Sequence, residues 1–156
     1  MLHTSWIGID PGSKGFSCLL VPDIKLVEFK SNLDKPLDIY AWYSELSIRF
    51  NIRIVLMEKV HNIYGVSSKS NFQFGYNTGL ITGIVQSTGI GMDQIAPKAW
   101  QKLVGITSKG KDIKKEVASK AIELYPYAKV SKPRGSIDTD KTDALMIAHT
   151  ARIMYP

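Results

Sequence analysis

The sequence contains almost no cysteine: its single residue of this type, Cys18, lies in the apolar run at residues 16–21. One cysteine excludes an internal disulfide, and a free thiol in such a run behaves as a small buried hydrophobe, which favours a reducing, intracellular setting. No hydrophobic run is long enough to cross a membrane, and the first residues lack the features of a signal peptide. We therefore expect a soluble, cytoplasmic protein with one domain over residues 1–156, large enough to fold without a disulfide or a metal.

Positive charge is concentrated in the last third of the chain. The net charge is +6; residues 1–96 contain 8 Lys/Arg and 8 Asp/Glu, whereas residues 97–156 contain 12 and 6. Such a basic segment suits a polyanion, since Lys/Arg contacts with phosphate dominate the affinity of proteins for nucleic acid. An ordinary solvated basic surface is the alternative that charge alone leaves open.

The hydrophobic pattern predicts three strands followed by alternating helices and strands. The first three strands, at residues 3–10, 16–21 and 24–30, are joined by short turns that favour an antiparallel meander. The later elements are a helix at 35–50, a strand at 52–58, a helix at 69–87, a strand at 91–96, and helices at 97–104, 109–124 and 138–154, with a basic loop at 126–137. This order predicts a mixed five-stranded sheet flanked by helices, as in the ribonuclease H-like fold.

Two of the predicted strands end in a carboxylate. Asp10 closes the first strand, and the following Pro11 and Gly12 remove a sheet donor and allow a sharp turn, so Asp10 should face a cleft. Glu58 closes the fourth strand in the same way. Ligands of open α/β sheets gather at such strand ends, which makes both acids candidates for a functional site.

Two further acids, Asp140 and Asp143, lie three residues apart at the start of the last predicted helix and share one of its faces. Helix capping would explain one of them, but not the position of Asp143 beside the apolar Ala144 and Leu145. Four converging carboxylates would repel one another unless a cation cancels their charge. Mg²⁺ suits them because it takes oxygen ligands, and two ions about 4 Å apart would activate water for phosphodiester hydrolysis.

The ordered set of motifs resembles the RuvC-type Holliday junction resolvases almost from end to end. The matching segments are residues 7–13, Glu58, residues 74–79, residues 104–105 and residues 140–145. The resemblance implies a ribonuclease H-like homodimer that cuts two opposed strands of a four-way DNA junction and leaves 5′-phosphate ends. It also implies that Mg²⁺, for which Mn²⁺ substitutes, is bound as two ions per site by the family's catalytic acids. The matching acids are Asp10, Glu58, Asp140 and Asp143.

The DNA-binding residues predicted from the resemblance and the basic pattern are His61, Trp100, Lys102, Lys109, Lys111 and Lys114. His61 stands where members often have an aromatic residue that stacks at the junction centre, and because histidine stacks weakly, full sequence selectivity is not expected. Trp100 falls where bacterial members have a DNA-contacting lysine; a core or interface position is the alternative for this residue. These differences and the short chain indicate a phage or viral branch, in which case the location would be the host cytoplasm.

Several alternatives remain open at this point. Residues 105–111 nearly match a P-loop, but the next residue is Asp112, whose charge would repel nucleotide phosphates, so we expect no nucleotide cofactor. The acids would be mere caps and turn residues if the protein only bound branched DNA without cutting it. Three glycines, Gly75, Gly79 and Gly83, share one face of the helix at 69–87, which predicts close packing on the sheet or on a second copy.

Overall fold

The computed structural model describes residues 1–59 and 65–156. The strands are β1 (Thr4–Ile9), β2 (Phe16–Val21), β3 (Leu26–Ser31), β4 (Asn51–Glu58) and β5 (Met92–Ile95). The helices are α1 (Pro36–Arg49), α2 (Ser68–Ser87), α3 (Pro97–Leu103), α4 (Asp112–Leu124) and α5 (Thr139–Met154). Within the described residues, no helix is both long enough and apolar enough to cross a bilayer.

The five strands form one mixed sheet in the order β3-β2-β1-β4-β5. β2 pairs antiparallel with both β1 and β3, whereas β4 pairs parallel with both β1 and β5. The predicted antiparallel meander and mixed sheet are therefore confirmed. β1 lies at the centre, which explains its nearly continuous run of buried residues.

Helices cover both faces of the sheet, because successive strand side chains point to opposite sides. Trp6 and its partner Leu20 pack in the hydrophobic cluster that includes residues of α3, α4 and α5. Ile7 and its partner Leu19 pack in the second cluster, which includes residues of α1 and α2. The central strands are thus buried on both sides.

Gly8 allows α5 to lie directly on β1. A Cβ at this position would overlap backbone atoms of Ala144 and Ala148, so a larger residue would push the helix away from the strand. The close approach places the first turns of α5 beside the end of β1, where Asp10 follows the strand.

Two elements begin at least two residues later than the sequence predicts. Residues Pro22–Ile24 form a 3₁₀ turn and Lys25 has a positive φ of 51°, so β3 begins at Leu26. α4 begins at Asp112 rather than at residue 109, because Gly110 has a φ of 58° and interrupts the helical backbone. The basic loop at 126–137 is confirmed, with one isolated bridge between Ser131 and Ile137.

The three glycines of α2 do not pack on the sheet. A Cβ at Gly75, Gly79 or Gly83 would meet no atom of the described residues within 4 Å. The opposite side of the helix supplies the buried residues Ile81 and Val85. Of the two packing partners considered for the glycine face, the sheet is excluded and a second copy stays a prediction.

Candidate active site

The parallel pairing of β1 and β4 places Asp10 and Glu58 at the same edge of the sheet. Ile9 is in register with Met57, so the residues that follow them leave the two strands side by side. Asp10 is anchored by its backbone N–H, which donates to the Phe16 carbonyl at 3.0 Å. The strand ends thus bring these two predicted site residues together.

The turn after β1 orients the Asp10 side chain. The backbone N–H of Gly12 donates to Asp10 Oδ1 at 3.0 Å. The Asn32 side-chain amide donates to the Asp10 carbonyl oxygen at 3.0 Å and accepts from Ser17 Oγ at 2.8 Å. Tyr43 OH in turn donates to Ser17 Oγ at 2.7 Å. This buried polar chain fixes the backbone from which Asp10 projects.

Sequence reasoning did not identify Asn32, Ser17 or Tyr43 as part of the site. All three are buried, with exposures of 7%, 0% and 0%. A signal was available, because a buried amide or hydroxyl needs a partner, and Ser17 interrupts the apolar run of β2. The identity of that partner depends on contacts between distant parts of the chain.

Asp138 caps α5 and leaves the two predicted acids of this helix for other contacts. Its backbone is extended, with φ −89° and ψ 102°, and its side chain accepts from the Asp140 backbone N–H at 3.2 Å. Because Asp138 supplies the cap, helix capping does not account for Asp140 or Asp143.

Three carboxylates form a compact cluster. Asp10, Asp140 and Asp143 each offer an oxygen such that these atoms all lie within 4.8 Å of one another. A cavity of about 440 Å³ lies over the cluster. Its lining includes all four predicted acids, namely Asp10, Glu58, Asp140 and Asp143, together with Trp100 and Lys114.

Burial raises the pKa of three acids that line the cavity, namely Asp10, Asp143 and Glu58. Burial raises the pKa of Asp10 to about 6, with the charges of Glu58 and Asp140 adding to the shift and the Gly12 N–H opposing it. Burial, followed by the charge of Asp10, raises the pKa of Asp143 to about 7. Burial also raises the pKa of Glu58, against a hydrogen bond from Trp100.

The donor set fits a divalent metal ion. Mg²⁺ and Mn²⁺ prefer oxygen ligands, and a cation among these carboxylates would relieve both their mutual repulsion and the cost of their burial. Asp10, Asp140 and Asp143 can hold such an ion, with Glu58 on the wall of the same cavity.

Without metal, the protein should lose stability as the pH rises from about 4 to 8. The native pKa values of Asp10 and Asp143, about 6 and about 7, lie above their ordinary value of 3.8. At these two groups the folded state binds more protons than the unfolded state in this range. Their two raised pKa values outweigh the opposite contribution of His149, whose pKa burial lowers, so raising the pH favours unfolding. Urea unfolding in a chelating buffer across this range measures the effect, and Mg²⁺ should reduce it.

An Asp10→Asn/Asp143→Asn double variant should be more stable than the wild type at pH 7 without metal and should show a flatter pH profile. Asp23→Asn, in the exposed turn between β2 and β3, is the matched control and should leave the profile unchanged. A wild-type stability that increases with pH in the chelating buffer would contradict the assigned burial of these charges.

Lys114 partly balances the acidic cluster. Its Nζ lies 3.4 Å from Asp140 Oδ1 and 3.9 Å from Asp143 Oδ2. Burial alone would lower the pKa of Lys114, but the charges of Asp143 and Asp140 outweigh it and raise the value. The structure therefore places this predicted DNA-binding residue among the acids, with over half of its side chain exposed.

The other predicted DNA-binding lysines lie next to the acidic cavity. Lys102 and Lys109 line an adjoining cavity of about 420 Å³. Lys111 is exposed at the start of α4. The segment between α3 and α4 follows a helix rather than a strand, which is not the context of a P-loop.

Glu116 holds the loop that precedes Lys109 and Lys111, and it was missed by sequence reasoning. Its carboxylate accepts from the backbone N–H of Ser108 at 2.7 Å and from that of Thr107 at 3.1 Å. Hydrogen bonds, first from Ser108 and then from Thr107, lower the pKa of Glu116 to about 2. Nothing in the local sequence distinguishes this glutamate from a solvated helix residue.

The structure does not agree with a direct DNA contact by Trp100. Its side chain is 1% exposed and packs in the core cluster beneath α4 and α5. The packed core position, the alternative considered for this residue, is the one observed. His61, the predicted stacking residue, lies outside the described residues.

Comparisons with known proteins identify the fold. No protein-family model and no curated protein sequence matches the chain. It is similar to the structure of Thermus thermophilus RuvC in complex with a Holliday junction substrate, with 19% identity, a TM-score of 0.65, and coverage of 97% of this chain and 96% of that chain. A second T. thermophilus RuvC structure gives 18% identity and a TM-score of 0.56, again over 97% and 96% of the chains. The predicted ribonuclease H-like fold of the RuvC type is confirmed.

Proposed function

We propose that the protein is a metal-dependent endonuclease that resolves Holliday junctions and cuts other branched DNA by paired phosphodiester hydrolysis, leaving 5′-phosphate ends. The observation that carries this proposal is the cluster of Asp10, Asp140 and Asp143, within 4.8 Å of one another, on a RuvC-type fold. One of the similar RuvC structures contains a Holliday junction substrate, which supports the choice of substrate. Residues 1–156 would form one nuclease domain that acts in the cytoplasm.

The four acids would hold two Mg²⁺ ions, for which Mn²⁺ would substitute. Metal bound there would activate the attacking water and stabilise the leaving oxygen of the phosphodiester. The protein's own groups prepare the site: Gly12 and Asn32 orient Asp10, and Lys114 offsets part of the negative charge before DNA arrives.

Lysines beside the acidic cavity would bind the DNA backbone. Lys102 and Lys109 line the adjoining cavity, so a strand whose phosphate enters the acidic cavity would continue over positive charge. Lys111 would extend this surface along the start of α4. Phosphate contacts of this kind position the substrate without reading its sequence.

A homodimer would supply the two sites that paired cutting requires. The open face of α2 carries the exposed aromatics Phe72 and Tyr76, followed by Gly79 and Gly83. Positions 72, 76, 79 and 83 fall on one side of a helix. If two copies of α2 crossed antiparallel about a two-fold axis, the aromatics of each could pack over the glycines of the other, and such a self-complementary surface suits an isologous dimer.

A nicking assay over a panel of DNAs tests the proposed function. Four-way junctions, forks and linear duplex are incubated with the protein in Mg²⁺, in Mn²⁺ and in a chelating buffer. We expect paired nicks in the branched substrates, dependent on metal, and little cutting of linear duplex. Tight binding of the junction without nicking in either metal would instead indicate a non-catalytic branched-DNA-binding protein.

A further inference from the structure

Trp100 contacts a predicted metal ligand from within the hydrophobic core. Its indole Nε1–H donates to Glu58 Oε2 at 2.6 Å. The distance is short for a nitrogen donor, as expected when the acceptor is a charged carboxylate. The contact spans 42 residues of sequence, so it exists only in the folded chain.

The pairing of β4 with β5 brings Glu58 and Trp100 close together. Glu58 is in register with Ile95 across β4 and β5, and the Lys59 backbone N–H donates to the Ile95 carbonyl at 2.7 Å. α3 begins at Pro97, directly after this pairing, and its first turns bring Trp100 back over the end of β4. The indole is 1% exposed and packs in the core cluster, so contacts other than the Glu58 hydrogen bond also hold it in place.

Glu58 occupies a different position from the other three acids. It lines the same cavity, but the compact cluster within 4.8 Å consists of Asp10, Asp140 and Asp143. One of its two carboxylate oxygens is engaged by Trp100, which leaves Oε1 for another ligand. A glutamate side chain has three rotatable bonds, so without a fixed partner it would lose freedom each time it bound a metal.

We propose that Trp100 is a positioning residue that holds the Glu58 carboxylate so that its second oxygen completes the metal site begun by Asp10, Asp140 and Asp143. This inference rests on the proposed function for the identity of the ligand, a divalent cation. It assigns Trp100 a role through Glu58 rather than through DNA. A purely structural tryptophan would affect stability but not metal affinity, and this difference makes the two roles separable.

Trp100→Phe removes the N–H while keeping an aromatic ring in the core. Calorimetric titration of the DNA-free protein with Mn²⁺ should show affinity reduced by about 10-fold or more, the usual effect of removing a partner that orients a metal ligand. Trp6→Phe makes the same chemical change on β1, where the indole N–H donates to the Tyr155 carbonyl at 2.7 Å, and should leave Mn²⁺ affinity unchanged. Circular dichroism confirms that both variants are folded.

A double-mutant cycle with Glu58→Gln tests whether Trp100 acts through Glu58. In the Glu58→Gln protein, adding Trp100→Phe should cause little further loss of Mn²⁺ affinity. Wild-type affinity in a folded Trp100→Phe protein, or a full additional loss in the Glu58→Gln background, would overturn the inference.

If Trp100→Phe does not fold, the indole proton of the wild-type protein provides the readout. The NMR resonance of this proton should shift when Mg²⁺ saturates the site, and Glu58→Gln should remove most of this shift. An indole resonance that Mg²⁺ leaves unchanged would overturn the inference. Because these measurements contain no DNA, they separate the two proposals. A protein that binds metal through Glu58 but cuts no branched DNA would contradict only the proposed function.

Discussion

Replacing Asp143 by asparagine is expected to abolish cleavage of four-way DNA while leaving junction binding intact. Asp143 belongs to the compact carboxylate cluster, and burial together with the charge of Asp10 raises its pKa to about 7. The amide keeps the size of the side chain but removes the negative charge that a divalent ion needs. We expect the variant to lose about 4 kcal/mol of transition-state stabilisation, which corresponds to a cleavage rate reduced by about 1,000-fold.

Binding should survive because the change removes a negative charge from a surface that faces a polyanion. Lys102 and Lys109, which line the adjoining cavity, are not altered. Nicking rates under saturating protein, measured beside a gel-shift titration in metal-free buffer, separate the two properties. Calorimetry with Mn²⁺ should show weakened metal binding in the same variant.

Asp138→Asn is the matched control for this experiment. It makes the same chemical change five residues earlier, at the helix cap, where asparagine is as effective as aspartate. The variant should therefore cut at close to the wild-type rate. Retained nicking by Asp143→Asn, or equal inactivity of both variants, would show that the acids of α5 act as structural groups rather than as metal ligands.

Replacing Gly79 by glutamate should convert the proposed dimer to a monomer and eliminate the proposed paired cutting. A Cβ at this position meets no atom of the described residues within 4 Å, so the folded monomer has space for the new side chain. Removal of a glycine from a helix interior should even stabilise the monomer by about 0.5–1 kcal/mol. In the proposed dimer the charge would be buried between the two copies of α2, at a cost of about 2–5 kcal/mol.

This cost should weaken dimerisation about 30-fold or more, which sedimentation equilibrium measures directly. A supercoiled plasmid with an extruded cruciform reports on function: paired cutting gives linear product, whereas single cuts give nicked circles. Ala41→Glu adds the same charge at an exposed position of α1 and should leave both readouts unchanged. A Gly79→Glu protein that remains dimeric would place the subunit interface elsewhere.

Much of the fold was predictable because its elements have strong local signals. The apolar runs of β1 and β4 and the amphipathic pattern of α5 correspond closely to the observed elements. Boundaries were less accurate where one residue has an unusual backbone. β3 and α4 begin later than predicted because Lys25 and Gly110 have positive φ angles. Such angles are set by the surrounding structure as much as by the residue.

The candidate site was predictable to the extent that strand ends and helix starts determine it. Asp10 and Glu58 follow paired residues of parallel strands, and an acid at such an end is visible in the sequence. Asp140 and Asp143, near the start of α5, were visible in the sequence as well. The sequence did not show that Asp138, rather than one of these two acids, caps the helix. The choice of Asp138 as the cap depends on its extended backbone.

By itself the sequence determined the order of the elements, the basic last third of the chain and the four acids, because each follows from periodicity, charge or position along the chain. Only the tertiary structure decided that Asn32 supports Asp10, that Trp100 holds Glu58 and that the glycines of α2 face away from the sheet. These contacts join residues far apart in sequence or depend on which side of a helix packs. Their geometry comes from strand register and from the close approach of α5 to Gly8, which local patterns do not encode.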